Sequence, residues 1–133
     1  MQSPNTVSNQ ELKRVIADFL DMGHVENIIA MFRHEPRYYA WTADLLRDER
    51  FSVRLGVSVL FEELRESHAD HVERAIPSLV KLLDAEEPLL RGEAVSLLGI
   101  IGSDKALEYV RQQHDDPSPR VREVVELVLQ EKP

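Results

Sequence analysis

The 133-residue chain contains no cysteine. This absence excludes a disulfide framework, a cysteine-ligated zinc or iron–sulfur site and a thiol nucleophile. Long apolar runs are also missing, because the run at 25–31 is interrupted by Glu26 and Asn27, and a membrane-spanning helix needs about 20 apolar residues. The N-terminal segment has neither the basic nor the apolar region of a signal peptide. These absences predict a soluble, cytoplasmic protein that has no membrane partner.

Positive charge is scarce relative to negative charge. The chain carries 16 Lys and Arg against 24 Asp and Glu, a net charge of −8. Because a phosphate backbone is bound through local positive potential, we expect no nucleic-acid partner. The composition is 43% hydrophobic and 30% charged, which is typical of a globular domain. Residues 1–7 are predicted to be a flexible N-terminal tail, and 8–133 a single domain.

Apolar residues recur with the helical period of 3.6 along the whole chain, and no segment alternates with period two. The pattern predicts about eight helices: 9–22, 24–34, 37–48, 50–67, 71–83, 88–102, 104–114 and 119–131. Proline and glycine support the boundaries, with a break at Pro36, a kink at Pro77, and helix ends at Gly23 and Gly102. N-caps are predicted at Ser8, Asp70, Ser103 and Ser118.

Three of the predicted helices repeat one another. Segments 53–64, 90–101 and 121–132 align so that Arg54, Arg91 and Arg122 share one register. A helix–turn–helix unit that recurs every roughly 30–40 residues is typical of an α-solenoid, in which neighbouring units bury each other's apolar stripes. The clearest repeats are 48–83 and 84–114, and a partial repeat covers 115–133.

The segment LRGEAVSLLGIIGSDKAL at 90–107 resembles the HEAT-repeat family, in the short subtype named after the phycobilisome lyases. The resemblance implies an all-α fold: an α-α superhelix, or HEAT-like solenoid, of about eight helices in stacked antiparallel pairs. Such a fold does not by itself determine a function.

In that family the register arginines form a structural ladder with a preceding aspartate. The resemblance therefore implies a structural role for Arg54, Arg91 and Arg122, with partners at Asp48, Asp84 and Asp115. The alternative, a row of arginines that binds anions, requires these side chains to point into the groove of the solenoid. Nearby acids favour the structural role, because a partly buried guanidinium needs a partner.

The resemblance also places the arginine-bearing helices on the concave face of the solenoid. The expected protein-binding positions are Leu55, Val59, Glu63, Glu93, Ser96 and Ile100. Apolar side chains beside acidic ones suit a basic amphipathic helix or another protein surface. We therefore expect a non-catalytic scaffold or adaptor that binds a protein partner.

A metal centre is the alternative to this expectation. HEAT-repeat deoxyhypusine hydroxylases hold two irons through His-Glu pairs in the two positions after the basic residue of a repeat. Here those positions hold Leu55-Gly56, Gly92-Glu93 and Glu123-Val124, without histidine. His68 and His71 have metal-ligand spacing but lie at a helix junction, where we expect a solvated turn. The sequence predicts no metal, no cofactor and no catalytic residue.

An aromatic cluster at 37–41 (RYYAW) holds two of the three tyrosines and the one tryptophan. Trp41 can pack in the core with Tyr38 and Tyr39 half exposed, or the three can form a protein-contact hot spot. With Asp44 three residues on, Trp41 also resembles the base-binding residues of HEAT-like DNA glycosylases. A base-excision-like activity and a bilin-lyase-like activity are the enzymatic alternatives to a scaffold.

The C-terminal helix carries more apolar residues than one stripe needs. Solenoid ends normally present a polar capping face. Here we expect an apolar end at which Val124 and Leu127 support a homodimer or a docked partner. The alternative is a short helix whose spare leucines are exposed without a partner.

Overall fold

The computed structural model describes residues 8–131, and the predicted tail at 1–7 lies outside the described residues. Within them the chain forms nine α-helices, two short 3₁₀ helices and no strand. The α-helices are α1 (Asn9–Asp21), α2 (Val25–His34), α3 (Thr42–Leu46), α4 (Phe51–Ser67), α5 (Ala69–Val72), α6 (Ile76–Leu82), α7 (Pro88–Ile101), α8 (Asp104–Arg111) and α9 (Pro119–Glu131). No helix in this part of the chain has the length and apolarity to cross a membrane.

Four of the helices form what we call the inner row: α1 packs against α4, α4 against α7, and α7 against α9. Four other helices pack onto this row: α2 and α3 on α4, α6 on α7, and α8 on both α7 and α9. Two layers of helices that contact mainly their neighbours along the chain are the architecture of an α-solenoid. The predicted all-α fold is confirmed.

Most helix boundaries follow the predicted capping signals. Ser8 and Ser103 each accept a hydrogen bond from the backbone N–H three residues on, at 3.1 and 3.2 Å. Gly23 and Gly102 adopt the positive φ that ends a helix. The N-cap predicted at Asp70 is wrong: α5 begins at Ala69, so Asp70 lies inside its first turn.

Two segments predicted as single helices are divided. The third begins as a 3₁₀ helix (Pro36–Trp41) before it continues as α3. The fifth becomes α5, a 3₁₀ helix (Glu73–Ala75) and then α6. Pro77 lies in the first turn of α6, where its missing N–H removes no helical hydrogen bond. The proline therefore opens a new helix and does not kink a continuous one.

Two glycines allow close approach between helices of the inner row. A Cβ atom at Gly56 would lie 2.9 Å from the Cβ of Leu20, and one at Gly99 would lie 2.7 Å from a methyl group of Val128. Any side chain at these positions would collide with the neighbouring helix. The α1–α4 and α7–α9 distances therefore depend on glycine.

Candidate functional site

The three register arginines tie the inner-row helices to the loops that precede them. The Nη1 groups of Arg54, Arg91 and Arg122 each donate a hydrogen bond to the carbonyl oxygen six residues earlier, at 2.9, 2.9 and 2.6 Å. These bonds satisfy loop carbonyls that would otherwise be left without a partner. None of the three arginines is among the residues that line the groove described below.

The carboxylate partner of Arg91 is not the predicted one. Arg91 donates from Nε and Nη2 to both oxygens of Asp116, at 2.9 and 3.0 Å, so the pair joins α7 to the loop before α9. The predicted partners Asp84 and Asp115 are exposed and pair with no ladder arginine within residues 8–131. The carboxylate of Asp48 pairs with Arg50 at 3.0 Å, while Arg54 donates to the backbone carbonyl of Asp48. The acid that meets Arg91 lies six residues before the arginine of the following repeat, so the predicted pairing with the acid before Arg91 is wrong.

Ala85 occupies the position before Arg91 that corresponds to Asp116 before Arg122. Arg54 therefore lacks the carboxylate that Arg91 has. Its nearest acid is Glu93, with Nε and Oε1 3.8 Å apart, and its Nε is buried without a hydrogen-bond partner among residues 8–131. We call Arg91–Asp116 the closed rung and Arg54–Glu93 the open rung.

The pKa values of the two acids are shifted in opposite directions. Hydrogen bonds from Arg91 hold the pKa of Asp116 below its usual range, against the opposing effect of burial. Burial raises the pKa of Glu93, and the charge of Arg54 offsets this only in part. The closed rung is thus a formed ion pair, whereas the open rung contains a carboxylate that lacks adequate compensation.

A groove with a volume of about 720 Å³ crosses the inner row, with α7 as its floor and α4 and α9 as its sides. Of the predicted positions, Glu93, Ser96, Ile100, Val124 and Leu127 line it. The sequence prediction missed further lining residues, which include Ser58, Glu62, Arg65, Glu66, Leu89, Arg120 and Glu131. Four of them, at 58, 62, 65 and 66, are spaced so that they lie on one side of α4. This helical spacing is the sequence pattern from which these four could have been predicted.

Three predicted groove positions lie elsewhere. Leu55 and Val59 are exposed on α4 but do not line the groove, and Glu63 lines a separate shallow pocket together with α2 residues. The cause is the rotation of α4: Gly56 faces α1, so Ser58 and Glu62 face α7. The sequence register shared with α7 therefore does not predict which side of α4 faces the groove.

Exposed apolar side chains are concentrated on the inner row. Seven large apolar residues among residues 8–131 are exposed, and all belong to α1, α4, α7, α9 or the residue that ends α1: Val15, Met22, Phe51, Leu55, Val59, Leu89 and Leu127. Single exposed apolar residues are ordinary, but here all seven lie on one of the two layers.

The C-terminal helix exposes one large apolar side chain among its described residues, that of Leu127. Val124 and Leu127 line the groove, while the side of α9 that faces solvent exposes Glu123, Glu126 and Gln130. Val124 and Leu127 therefore lie on the groove side of α9, and a role for them in self-association stays a prediction.

The aromatic cluster is largely internal. Tyr39 is fully buried between Phe32 and Phe61, and Tyr38 is only 9% exposed. The expectation of half-exposed tyrosines is therefore wrong, and neither ring offers a surface for a protein-contact hot spot. Burial also raises the pKa of Tyr39 to about 12, with a smaller opposing effect of the Arg74 charge.

Trp41 is half-buried, and its ring is already occupied by cations of the same chain. Lys13 Nζ and the Arg37 guanidinium each lie 5.3 Å from the ring centre. Asp44 pairs with Lys13 at 2.7 Å. A base-binding pair of Trp41 and Asp44 would have to displace these contacts.

The residues present do not fit a His-Glu metal centre. All five histidines lie outside the four inner-row helices, so the positions at 55–56, 92–93 and 123–124 contribute no imidazole. Within the described part of the chain, no group of three or more His, Asp or Glu side chains is arranged to hold a metal ion. His68 and His71 are neighbours, with ring centres 5.5 Å apart, but they form only a pair.

Comparison with known proteins agrees with this architecture. The sequence pattern of the family described as HEAT repeats matches residues 39–130. Human deoxyhypusine hydroxylase is 29% identical over 96 residues, which cover 71% of this chain and 30% of that protein. The chain thus spans under a third of the length of this relative. Because the family match covers well over half of the sequence, the chain belongs to the HEAT-repeat family.

Proposed function

We propose that the protein is a non-catalytic binding scaffold or adaptor whose inner row, centred on the groove over α7, receives a protein partner. One observation carries this proposal: every large exposed apolar side chain of the described residues belongs to the inner-row layer. Exposed apolar area is unfavourable in water unless a partner covers it. The layer formed by α2, α3, α6 and α8 has no comparable feature.

The charge of the groove favours a basic partner. Four glutamates line it (Glu62, Glu66, Glu93 and Glu131), against two arginines (Arg65 and Arg120). Apolar contacts from Leu89, Ile100 and Leu127 lie among these charges. A basic amphipathic helix would place an apolar stripe on the leucines and its cations on the glutamates. A nucleic acid would meet excess negative charge in the groove, so we propose no such partner. We propose that the complex is cytoplasmic.

The enzymatic alternatives have weaker support. The relative is named as a hydroxylase, but the corresponding positions of this chain do not supply the His-Glu pairs expected of such a site. The contacts of Trp41 and Asp44 oppose a base-excision-like site. The motif at 90–107 supports the phycobilisome-lyase-like repeat subtype as a description of architecture, and we propose no bilin chemistry from it.

The proposal is tested by quantitative affinity purification from the cells that produce the protein. The bait is the full chain, either unchanged or with Leu89→Arg and Leu127→Arg, since these leucines are 46% and 54% exposed and line the groove. The matched control carries Glu126→Arg and Gln130→Arg on the solvent side of α9. We expect the groove variant to lose a specific partner that the control retains.

Retention of every partner by the groove variant would contradict the proposal. A second copy of the chain is the other occupant to be distinguished, because Leu127 was predicted to support self-association. Light scattering over a concentration series makes this distinction: a dimer that Leu127→Glu dissociates would assign the groove to self-association in place of a different protein.

A further inference from the structure

The acid of the open rung, Glu93, lies in the groove. Glu93 lies on α7, the floor of the groove, and its side chain is only 22% exposed. Leu89 precedes it by one turn, Ser96 follows it by one turn, and Val124 of α9 lies on the other side. Glu93 is therefore a carboxylate enclosed by groove walls, whereas Glu62 and Glu66 are exposed glutamates at the rim.

Among the described residues, this carboxylate is compensated only in part. Its one nearby cation is Arg54, whose Nε stands 3.8 Å from Oε1, beyond hydrogen-bond distance, and Nε has no other partner among residues 8–131. The corresponding carboxylate of the closed rung, Asp116, receives two bonds of 2.9 and 3.0 Å from Arg91. The difference arises because Ala85 replaces the aspartate that would hold Arg54. Glu93 is a largely enclosed carboxylate that receives no hydrogen bond from a side chain or backbone group of residues 8–131, and it remains 22% exposed to the groove. A ligand that brings a donor into the groove can therefore form a charge-assisted hydrogen bond with it.

We propose that Glu93 is the specificity-determining residue of the groove and receives the side chain of one lysine or arginine from the apolar stripe of a bound helix. This inference rests on the proposed function and adds the position of the recognised cation. A helix that lies along α7, which is 14 residues long, spans about 21 Å. Its central residue then lies near Glu93 and Ser96, with leucine contacts on either side. A cation at this position gains a charge-assisted hydrogen bond, while a neutral residue leaves the carboxylate with only the 3.8 Å ion pair to Arg54.

The test is a selection from a phage-displayed library of helical peptides, each about 16 residues long and randomised along one face. Selections are run on the full-length protein, on Glu93→Gln, and on Glu126→Gln, which removes an exposed glutamate outside the groove. We expect peptides selected on the unchanged protein and on Glu126→Gln to carry Lys or Arg at one position within the apolar stripe. Glu93→Gln should select the same apolar stripe without that basic residue.

One selected peptide and its Lys→Gln twin are then titrated against each protein by fluorescence polarisation. The unchanged protein should bind the lysine peptide at least about tenfold more tightly, a difference of about 1.4 kcal/mol, and Glu93→Gln should bind the two peptides equally. Glu93→Asp, which keeps the charge on a shorter side chain, should restore part of the preference. Circular dichroism melting shows that each variant is folded.

The outcomes separate the two proposals. Peptides that need Leu127 for binding but show no basic preference would overturn the role of Glu93 and leave the groove as a binding site. A basic preference that persists in Glu93→Gln would also overturn it. If the unchanged protein selects no peptide that Leu127→Arg weakens, both the groove proposal and this inference fail.

Discussion

The junction between α4 and α7 and the junction between α7 and α9 contain the same ladder arginine but differ in how it is paired. At the second junction Arg91 binds both oxygens of Asp116, and Gly99 lets Val128 approach the backbone of α7. At the first junction Arg54 keeps only its bonds to loop carbonyls and faces Glu93 without a hydrogen bond between the side chains. One substitution, an alanine at 85 where the next repeat has Asp116, accounts for this difference.

Under the proposal above, a repeat protein acquires a binding position at such a junction without a change of fold. The carbonyl bonds that hold each helix to its loop are present at both junctions, so the architecture does not depend on the carboxylate. Where the carboxylate is present, the pair closes the junction and stabilises it. Where it is absent, Glu93 on the groove floor receives no hydrogen bond from Arg54, and we propose that a bound partner supplies the donor.

The largest effect is expected when the closed rung is broken. Asp116→Ala removes the carboxylate and leaves the largely enclosed Arg91 guanidinium without a partner, so the free energy of unfolding should fall by about 3 kcal/mol. Asp115→Ala, at the exposed neighbouring position, should change it by about 0.5 kcal/mol or less. Urea denaturation of both variants measures the difference. Equal losses in the two variants would contradict the assignment of Asp116 as the ladder residue.

The glycine contact at the same junction should have the next largest effect. The Cβ of Gly99→Ala would lie 2.7 Å from a methyl group of Val128, which must shift together with α9. We expect a loss of about 1–3 kcal/mol in unfolding free energy. Gly92→Ala is the matched control, since its Cβ meets Val124 only at 4.0 Å, and it should stabilise α7 by up to about 1 kcal/mol. A stabilising Gly99→Ala would show that the α7–α9 distance is not set there.

Closing the open rung should have a moderate effect of the opposite sign. Ala85→Asp supplies the carboxylate that Arg54 lacks, so we expect a gain of about 1 kcal/mol in unfolding free energy. Ala85→Asn has a similar shape but no charge and should gain less. If Ala85→Asp destabilises the protein as much as or more than Ala85→Asn does, the structural correspondence of positions 85 and 116 is incorrect.

Lowering the pH should change the stability contributions of the closed and open rungs in opposite directions. These are the smallest effects that we expect. The lowered pKa of Asp116 gives stability that is present above the ordinary aspartate pKa of about 3.9 and is lost as the pH falls through the folded-state pKa. The raised pKa of Glu93 has the reverse effect, so its contribution improves as the pH falls through its folded-state pKa.

Unfolding free energies measured between about pH 6 and about pH 2.5 test these signs. At neutral pH the unfolding free energy of Asp116→Asn should be lower than that of the unchanged protein. This difference should shrink as the pH falls. Any advantage of Glu93→Gln at neutral pH should also shrink in acid. A constant difference over this range for Asp116→Asn would mean that the Arg91–Asp116 pair does not form in solution.

The fold could be predicted from the sequence because its signals are local. The 3.6-residue period, the caps at Ser8 and Ser103 and the repeated arginine each depend on a few neighbouring residues. Features that depend on how helices are rotated could not be predicted in the same way. Helix α4 packs on α1 with Gly56 against Leu20, and in this orientation Leu55 and Val59 lie outside the groove although they match its register.

The candidate site was therefore predicted in part. Its α7 and α9 positions line the groove, because α9 packs on α7 in the expected register. Whether Asp115 or Asp116 meets Arg91 depends on the turn before α9, which no periodicity describes. The burial of Tyr39 likewise depends on Phe32 and Phe61, which reach it from separate helices.

The most direct test of the central claim is an NMR titration of the full ¹⁵N-labelled chain with a peptide from the selection or with the purified partner. The account predicts saturable amide shift changes on α7, on α9 and on the 58–66 part of α4, with the largest changes around Glu93, and little change on α2, α6 and α8. Changes confined to α2, α6 and α8, or changes that never saturate, would contradict the claim that the inner row is the binding surface.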